Sequence, residues 1–244
     1  MNLTIDIGNT RVKTGLFSSL DLIEKQAWEI DGLPDIITYA TNHQVQNVIL
    51  STVGNPIDPV LDAEFSQRFY YLQLTHRTPL PINNAYSTPE TLGKDRLAAV
   101  IGAWQLYPGE NCLVIDAGTC ITYDLLREDG VYLGGNISPG LAMRFRAMHE
   151  FTARLPLVDR SDPSESIGQS TETAMQIGGQ LGTSLEMDGF IRLFRDQYGS
   201  LRVLLTGGDA DFFAKVLKSQ IFVNSDLVLK GLNKILTYNA EQLV

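Results

Sequence analysis

Cysteine is scarce in this chain of 244 residues; there are two, Cys112 and Cys120. Two thiols make no disulfide framework, and the expectation is a reducing compartment, the cytoplasm. Histidine is nearly as rare. His43, His76 and His149 stand apart from one another and from any cysteine pair, so no zinc-ligand spacing exists. No apolar run reaches the roughly 18 residues that a membrane-spanning helix needs. The start, MNLTIDIGNT, lacks the basic-then-apolar pattern of a secretory signal. Positive charge is in deficit: 19 Lys and Arg against 28 Asp and Glu give a net charge of −9. A nucleic-acid partner needs clustered cations and is disfavoured. A small phosphorylated ligand is not, because a few local donors outweigh the global sign. The phosphate loop GxxxxGK[ST] is also missing, so a nucleotide site here needs another device.

What is present is an ordinary globular composition, 44% apolar and 19% charged, able to bury a sizeable core. The length suits one large domain or two of about 120 residues. Residues 2–7 and 12–17 read as strands joined at a glycine, with a third strand over 21–30. Helices are expected over 34–44 and 57–68, with a buried strand at 47–53 between them. A helix ending at Pro108-Gly109 covers LGKDRLAAVIGAWQLYPG. Strand, acid, glycine, strand recurs at 111–126, and another strand breaks into glycines at 131–140. Helices follow at 141–150 and 171–198, then strand, glycine pair and helix at 201–213. A short strand near 221–223 and a helix over 227–241 end the chain. Strands and helices alternate in an α/β pattern with mixed sheets.

One stretch echoes another. Asp6-Ile7-Gly8-Asn9-Thr10 and Asp116-Ala117-Gly118-Thr119-Cys120 each place an acid two residues before a glycine between β-like runs. The offset is close to half the chain. The plain reading is turn chemistry; the repetition favours a duplicated domain, divided 1–110 and 111–244, with a central cleft to hold a ligand. Glycine lets a backbone N–H approach a phosphate, and Asn9, Thr10 and Thr119 add neutral donors. The carboxylates of Asp6 and Asp116 repel phosphate but hold a bridging cation or the water around Mg²⁺. Leu205-Thr206-Gly207-Gly208-Asp209 reads as a tight connection or as a surface for a flat ligand such as adenine.

Six ordered blocks then carry a family likeness: DIGNTRVKTGLF at 6–17, AYSTPETLGKDRLAAVIGA at 85–103, VIDAGTCITYDLL at 114–126, GGNISPGLAMRFRAMHEFTARLP at 134–156, IGQSTETAMQIG at 167–178 and LLTGGDA at 204–210. The chain resembles the superfamily of acetate and sugar kinases, Hsp70 and actin, built from two ribonuclease-H-like halves, and within it type III pantothenate kinase. The resemblance implies transfer of the γ-phosphoryl group of ATP to the primary hydroxyl of pantothenate, the first step toward coenzyme A. It implies that Asp6, Ile7, Gly8, Asn9, Thr10, Arg11, Val12 and Lys13 bind ATP, which comes with Mg²⁺, and that Thr119 adds a contact. Asp116 would hold a monovalent cation, potassium or ammonium. Tyr86, Gly93, Lys94, Asp95, Arg96 and Thr171 would form the pantothenate site, with Asp95 as proton acceptor, in a homodimer.

Each residue has a plainer alternative. Asp95 at a helix start suits a dipole contact, Arg96 a surface ion pair, Lys13 an exposed strand position, Lys94 solvent, and Tyr86 structural packing. Thr171 or Ser170 suits a helix N-cap, and Cys120 a small buried apolar position. Two other functions remain open: a kinase of the same superfamily for another small hydroxylated acceptor, and a non-catalytic regulatory relative. For dimerisation, Met175, Ile177, Leu181, Leu185 and Met187 offer an apolar helix face, which core packing explains equally well.

Overall fold

Apolar runs of six or seven residues, broken by small polar turns, set up the strands. In the computed structural model, which describes residues 1–8, 11–52, 54, 57–162 and 165–242, they are β1 (Asn2–Ile7), β2 (Val12–Ser18), β3 (Asp21–Trp28), β4 (Asn47–Thr52), β5 (Tyr70–Gln73), β6 (Asn83–Asn84), β7 (Cys112–Ala117), β8 (Cys120–Leu126), β9 (Val131–Pro139), β10 (Arg202–Thr206) and β11 (Phe222–Val223). The helices are α1 (Leu33–Asn42), α2 (Pro59–Arg68), α3 (Lys94–Leu106), α4 (Leu141–Glu150), α5 (Thr171–Tyr198), α6 (Ala210–Val216) and α7 (Leu227–Glu241). The anticipated elements are present with bounds shifted by a residue or a few. Two strands, β5 and β6, were not anticipated. The first is short and only half-buried, and the second is two residues long, so neither leaves a periodic signal.

Two sheets result. The first runs β3-β2-β1-β4-β5 and the second β11-β10-β7-β8-β9-β6. Read from its other side, the second sheet repeats the order of the first, with β9-β8-β7-β10-β11 standing for β3-β2-β1-β4-β5 and β6 added at the edge. Pairing directions agree where both are defined: β1 runs parallel to β4 and β7 parallel to β10, and β4–β5 and β10–β11 are parallel as well. The echo of DIGNT in DAGTC is thus an echo of topology, each motif lying at the end of the corresponding central strand. β4, β7 and β10 are buried almost throughout, as parallel strands covered on both faces are.

The chain forms two compact units. The first comprises residues 1–109, 126–133 and 226–244, the second 110–125 and 134–225. The sequence division after residue 110 assigns 126–133 and 226–244 to the later half, whereas both stretches pack in the first unit. Close helix packing places α7 there. A Cβ on Gly231 would lie 1.7 Å from the Ala98 carbonyl oxygen of α3, and one on Gly102 would lie 2.3 Å from the Leu227 carbonyl oxygen. Two bare backbones face each other at this crossing. The first unit's core joins Leu3, Ile5, Leu16, Ile36, Val48 and Phe65. The second unit buries Val114, Tyr123, Phe145, Met187, Leu204 and Phe213 among others. Among the described residues no helix is long and apolar enough to cross a membrane.

Candidate active site

The first bend begins where β1 runs out of core. Leu3, Thr4 and Ile5 are buried, and Asp6 is half-buried. Its register partners are Lys13 on β2 and Ser51 on β4. Side chains in register share a face of the sheet, so the Lys13 cation and the Asp6 carboxylate rise from the same side. Ser51 is fully buried, and its Oγ has no hydrogen-bond partner among the described residues. The Gly8 N–H donates to the Arg11 carbonyl at 3.0 Å and closes the bend. Arg11 and Lys13 are exposed, as the alternative for Lys13 required, while Val12 is fully buried. A ligand at this bend therefore meets the backbone of Val12, not its side chain. Asn9 and Thr10 lie outside the described residues.

The second bend is tied to two other segments by main-chain hydrogen bonds. Gly118 N–H donates to the Cys120 carbonyl, Gly140 N–H to the Thr119 carbonyl, both at 3.0 Å, and Asp209 N–H to the Ala117 carbonyl at 2.9 Å. The approach is close enough to demand glycine. A Cβ at 140 would stand 2.2 Å from the Gly118 carbonyl oxygen. Gly207 has φ +97°, and a Cβ there would come within 2.4 Å of both the Ala117 carbonyl oxygen and Asp116 Oδ1. Glycine at 207 thus lets its turn pack directly against the Asp116 carboxylate. A carboxylate is a hard oxygen donor, the kind a hard cation takes. Among the described residues no group of three or more His, Cys, Asp and Glu could hold a metal ion.

A half-buried ionic network braces the second bend. Arg144 on α4 donates through Nε to the Pro139 carbonyl at 2.9 Å, and through one terminal nitrogen to Ser138 Oγ at 2.8 Å and Glu186 Oε2 at 2.7 Å. Tyr123 donates its hydroxyl to Glu186 Oε1 at 2.8 Å. Burial pushes the Glu186 carboxyl up, but hydrogen bonds from Arg144, Ser138 and Tyr123 together outweigh it, and the net shift is downward. Burial, then the bond to Glu186, pushes the Tyr123 phenol up. Arg144 thereby holds the residues immediately before Gly140.

The third element is the start of α3. Gly93 is its N-cap and makes no side-chain cap. Asp95 folds back instead, accepting the Arg96 N–H at 2.8 Å through Oδ1. That oxygen lies 2.6 Å from where a Cβ on Gly93 would stand. The helix dipole makes this corner favourable for anions. Arg96 is not the surface residue that an ion pair implies: it is 6% exposed, because α3 is buried along most of its length. Its guanidinium carbon lies 5.7 Å from the centre of the Tyr86 ring. Tyr86 stacks on Tyr132, with planes 6° apart and centres 6.3 Å apart. Gly93, Asp95, Arg96 and Tyr86 are thus one cluster; Lys94 is the first residue of α3 beside them and is half-buried.

Thr171 is the first residue of α5 and is exposed. The cap belongs to Ser170, whose Oγ accepts the Thr173 N–H at 3.2 Å while Thr173 Oγ1 accepts the Ser170 N–H at 3.0 Å. Capping therefore does not occupy the Thr171 hydroxyl. Cys120 is half-buried and Cys112 buried. Burial, with Glu110 adding to it, pushes the Cys112 thiol up to about 12, which leaves it unreactive. Sequence reasoning did not find Tyr132, Arg144 or Glu186. Arg144 lies within the block at 134–156, but its role there, like those of Tyr132 and Glu186 outside the blocks, shows only in space.

Comparison with known proteins identifies the family. The family model for type III pantothenate kinases matches residues 2–193. A type III pantothenate kinase from Bacteroides fragilis is 46% identical over 239 residues, covering 98% of both chains. Another, from Christiangramia forsetii, is 44% identical over 247 residues, covering 99% of this chain and all of the relative. Among solved structures, a candidate Baf family transcriptional activator from Campylobacter jejuni superposes with a TM-score of 0.63 at 23% identity, covering 98% of this chain and 99% of its own. A ROK family protein from Streptococcus pneumoniae gives 0.55 at 11% identity, covering 99% of each chain. At such identities the structures speak for the fold alone, the duplicated α/β architecture of actin-like sugar kinases. The family model and the full-length relatives go further: this chain belongs to the type III pantothenate kinase family.

Proposed function

We propose that the protein phosphorylates the primary hydroxyl of pantothenate at the expense of ATP, the first step of coenzyme A biosynthesis. The observation that carries the reading is the cluster of Asp95, Arg96 and Tyr86 at the start of α3, in a chain that matches the family along nearly its whole length. Phosphoryl transfer needs a positioned nucleophile and neutralised phosphate charge. Asp95 takes the hydroxyl proton as the oxygen attacks the γ-phosphorus, and the bond to the bridging oxygen breaks to release ADP. Arg96 offers a planar fork to the carboxylate, carbonyl or hydroxyl oxygens of pantothenate, and the Tyr86 ring closes over its carbon chain. Gly93, Lys94 and Thr171 complete the acceptor contacts.

In the same reading, the bend from Asp6 to Lys13, including Ile7, Gly8, Asn9, Thr10, Arg11 and Val12, together with Thr119, binds ATP as its Mg²⁺ complex. Potassium or ammonium held at Asp116 would add positive charge near the phosphates. The exposed cations of Arg11 and Lys13 support this use of the first bend, and the hard oxygen donors of the Asp116 carboxylate support the cation. Both cysteines are free thiols, in keeping with a reducing cytoplasm. The partner is a second copy of the chain, and no nucleic acid or membrane is involved.

A coupled assay for ADP release tests the proposal. Purified protein with Mg-ATP is expected to turn over only when pantothenate is added, and faster with potassium or ammonium than with sodium. Turnover with a sugar or another hydroxyl acid in its place, or none with pantothenate, overturns it.

A further inference from the structure

Tyr132 belongs to no motif, yet it stacks on a residue that does. It is fully buried on β9. β6 runs beside it for two residues, with Asn84 in register with Tyr132. So short a strand fixes little by itself, and further hydrogen bonds set the backbone of the segment leading to Tyr86. Asn83 N–H donates to the Gly130 carbonyl at 2.9 Å, Ala85 N–H to the Tyr132 carbonyl at 3.0 Å, and Tyr86 N–H to Asn84 Oδ1 at 3.0 Å. These bonds locate the Tyr86 backbone but leave its ring free to turn. The ring plane is set by the near-parallel, offset Tyr132 ring, 6° away in tilt. The Arg96 guanidinium then sits over Tyr86, where the ring's electron-rich face attracts it. The order is therefore Tyr132, Tyr86, Arg96, with the first member sealed from solvent.

We propose that Tyr132 is a positioning residue for the acceptor: it fixes the Tyr86 ring, and through that ring the direction of the Arg96 fork. This rests on the reading of Tyr86 and Arg96 as pantothenate contacts. A leucine at 132 fills space but cannot hold a ring plane, whereas a phenylalanine can.

Steady-state kinetics on the full-length enzyme separates this role from simple core packing. Tyr132→Leu is expected to raise KM for pantothenate about 2- to 12-fold, the range expected for loss of an aromatic pair. Its KM for ATP and its kcat at saturating pantothenate should stay within about twofold of the unsubstituted enzyme. Tyr132→Phe should restore KM for pantothenate. In a Tyr86→Ala background, Tyr132→Leu should add nothing further to that KM, since the two act in series. Should the leucine variant not fold, Tyr132→Met gives the same comparison with a more adaptable side chain. Equal rises in both KM values, an effect that persists without the Tyr86 ring, or no effect on KM in an active, folded variant would each overturn the inference while leaving the acceptor assignment standing. Absence of pantothenate-dependent turnover in the unsubstituted enzyme would instead remove that assignment, and the inference with it.

Discussion

Asp95 shows how a residue can suit two roles at once. Its Oδ1 accepts the Arg96 N–H in the first turn of α3, which is what a structural helix-start acid does. That bond also holds the carboxylate in one orientation, and a proton acceptor must be positioned. Asparagine keeps an acceptor oxygen at the same atom and cannot take a proton. Asp95→Asn is therefore expected to leave the melting temperature within a few degrees of the parent and to lower kcat about 10²- to 10⁴-fold. Circular dichroism and the ADP-release assay measure the two quantities. Full turnover in this variant would return Asp95 to a purely structural role. From sequence, the acid and its place at a helix start were legible. Burial of Arg96 was not, because a DR pair at a helix start looks the same whether the helix lies on the surface or inside.

At the level of elements, the α3–α7 crossing and the ionic brace of the second unit each carry a prediction. At the crossing, Gly231 has only 1.7 Å of room for a Cβ, against a backbone oxygen that no side-chain rotation can move. Gly231→Ala gains about 1 kcal/mol of helix propensity and loses more than that, because α7 must retreat from α3; overpacking of this kind costs about 1–3 kcal/mol. A net fall in the urea midpoint is expected, and an unchanged or raised midpoint would show that α7 shifts at no cost. The brace links β8, β9, α4 and α5 through Tyr123, Ser138, Arg144 and Glu186. The Glu186 carboxyl titrates below its ordinary value of 4.5 in the folded protein, so its contribution to stability is fully present above that value and is lost as pH falls through the folded one. Glu186→Gln should lower the melting temperature at pH 7, and the gap to the parent should close as the pH drops below 4.5. A gap of the same size at pH 3 would mean that packing, not charge, does the stabilising. Strands with continuous apolar runs, such as β4 and β7, were readable in advance from periodicity. The two-residue β6 exists only because β9 lies beside it, and no local pattern announces such a strand.

For the molecule as a whole, the duplication was legible in two five-residue motifs, since each marks the end of a central strand, and sheet orders β3-β2-β1-β4-β5 and β9-β8-β7-β10-β11 repeat around them. The placement of α7 in the first unit was not legible, because it depends on two glycines 129 residues apart meeting in space. The apolar face of α5 was only partly readable. Met175, Ile177 and Met187, expected to share it with Leu181 and Leu185, are buried in their own unit. The outward line consists of the exposed Leu181, Leu185 and Leu193 together with Gly178, Gly182 and Gly189, at none of which would an added Cβ meet another described part of the protein within 4 Å. At about 100° per residue these six fall within roughly 60° of one direction. Three glycines in the interior of one helix weaken it by about 1 kcal/mol each relative to alanine, and none of the described residues packs against the bare backbone they leave. A second copy would: glycine lets another helix approach closely, and the flanking leucines gain burial. The expected state in solution is a dimer through this face. Light scattering coupled to size exclusion should give twice the chain mass of 27.0 kDa, and Leu185→Arg should shift it to the single-chain mass without unfolding α5, since position 185 is exposed within the chain. A monomeric parent protein, or a Leu185→Arg variant that remains dimeric, would place the partner elsewhere and leave the three glycines without a role.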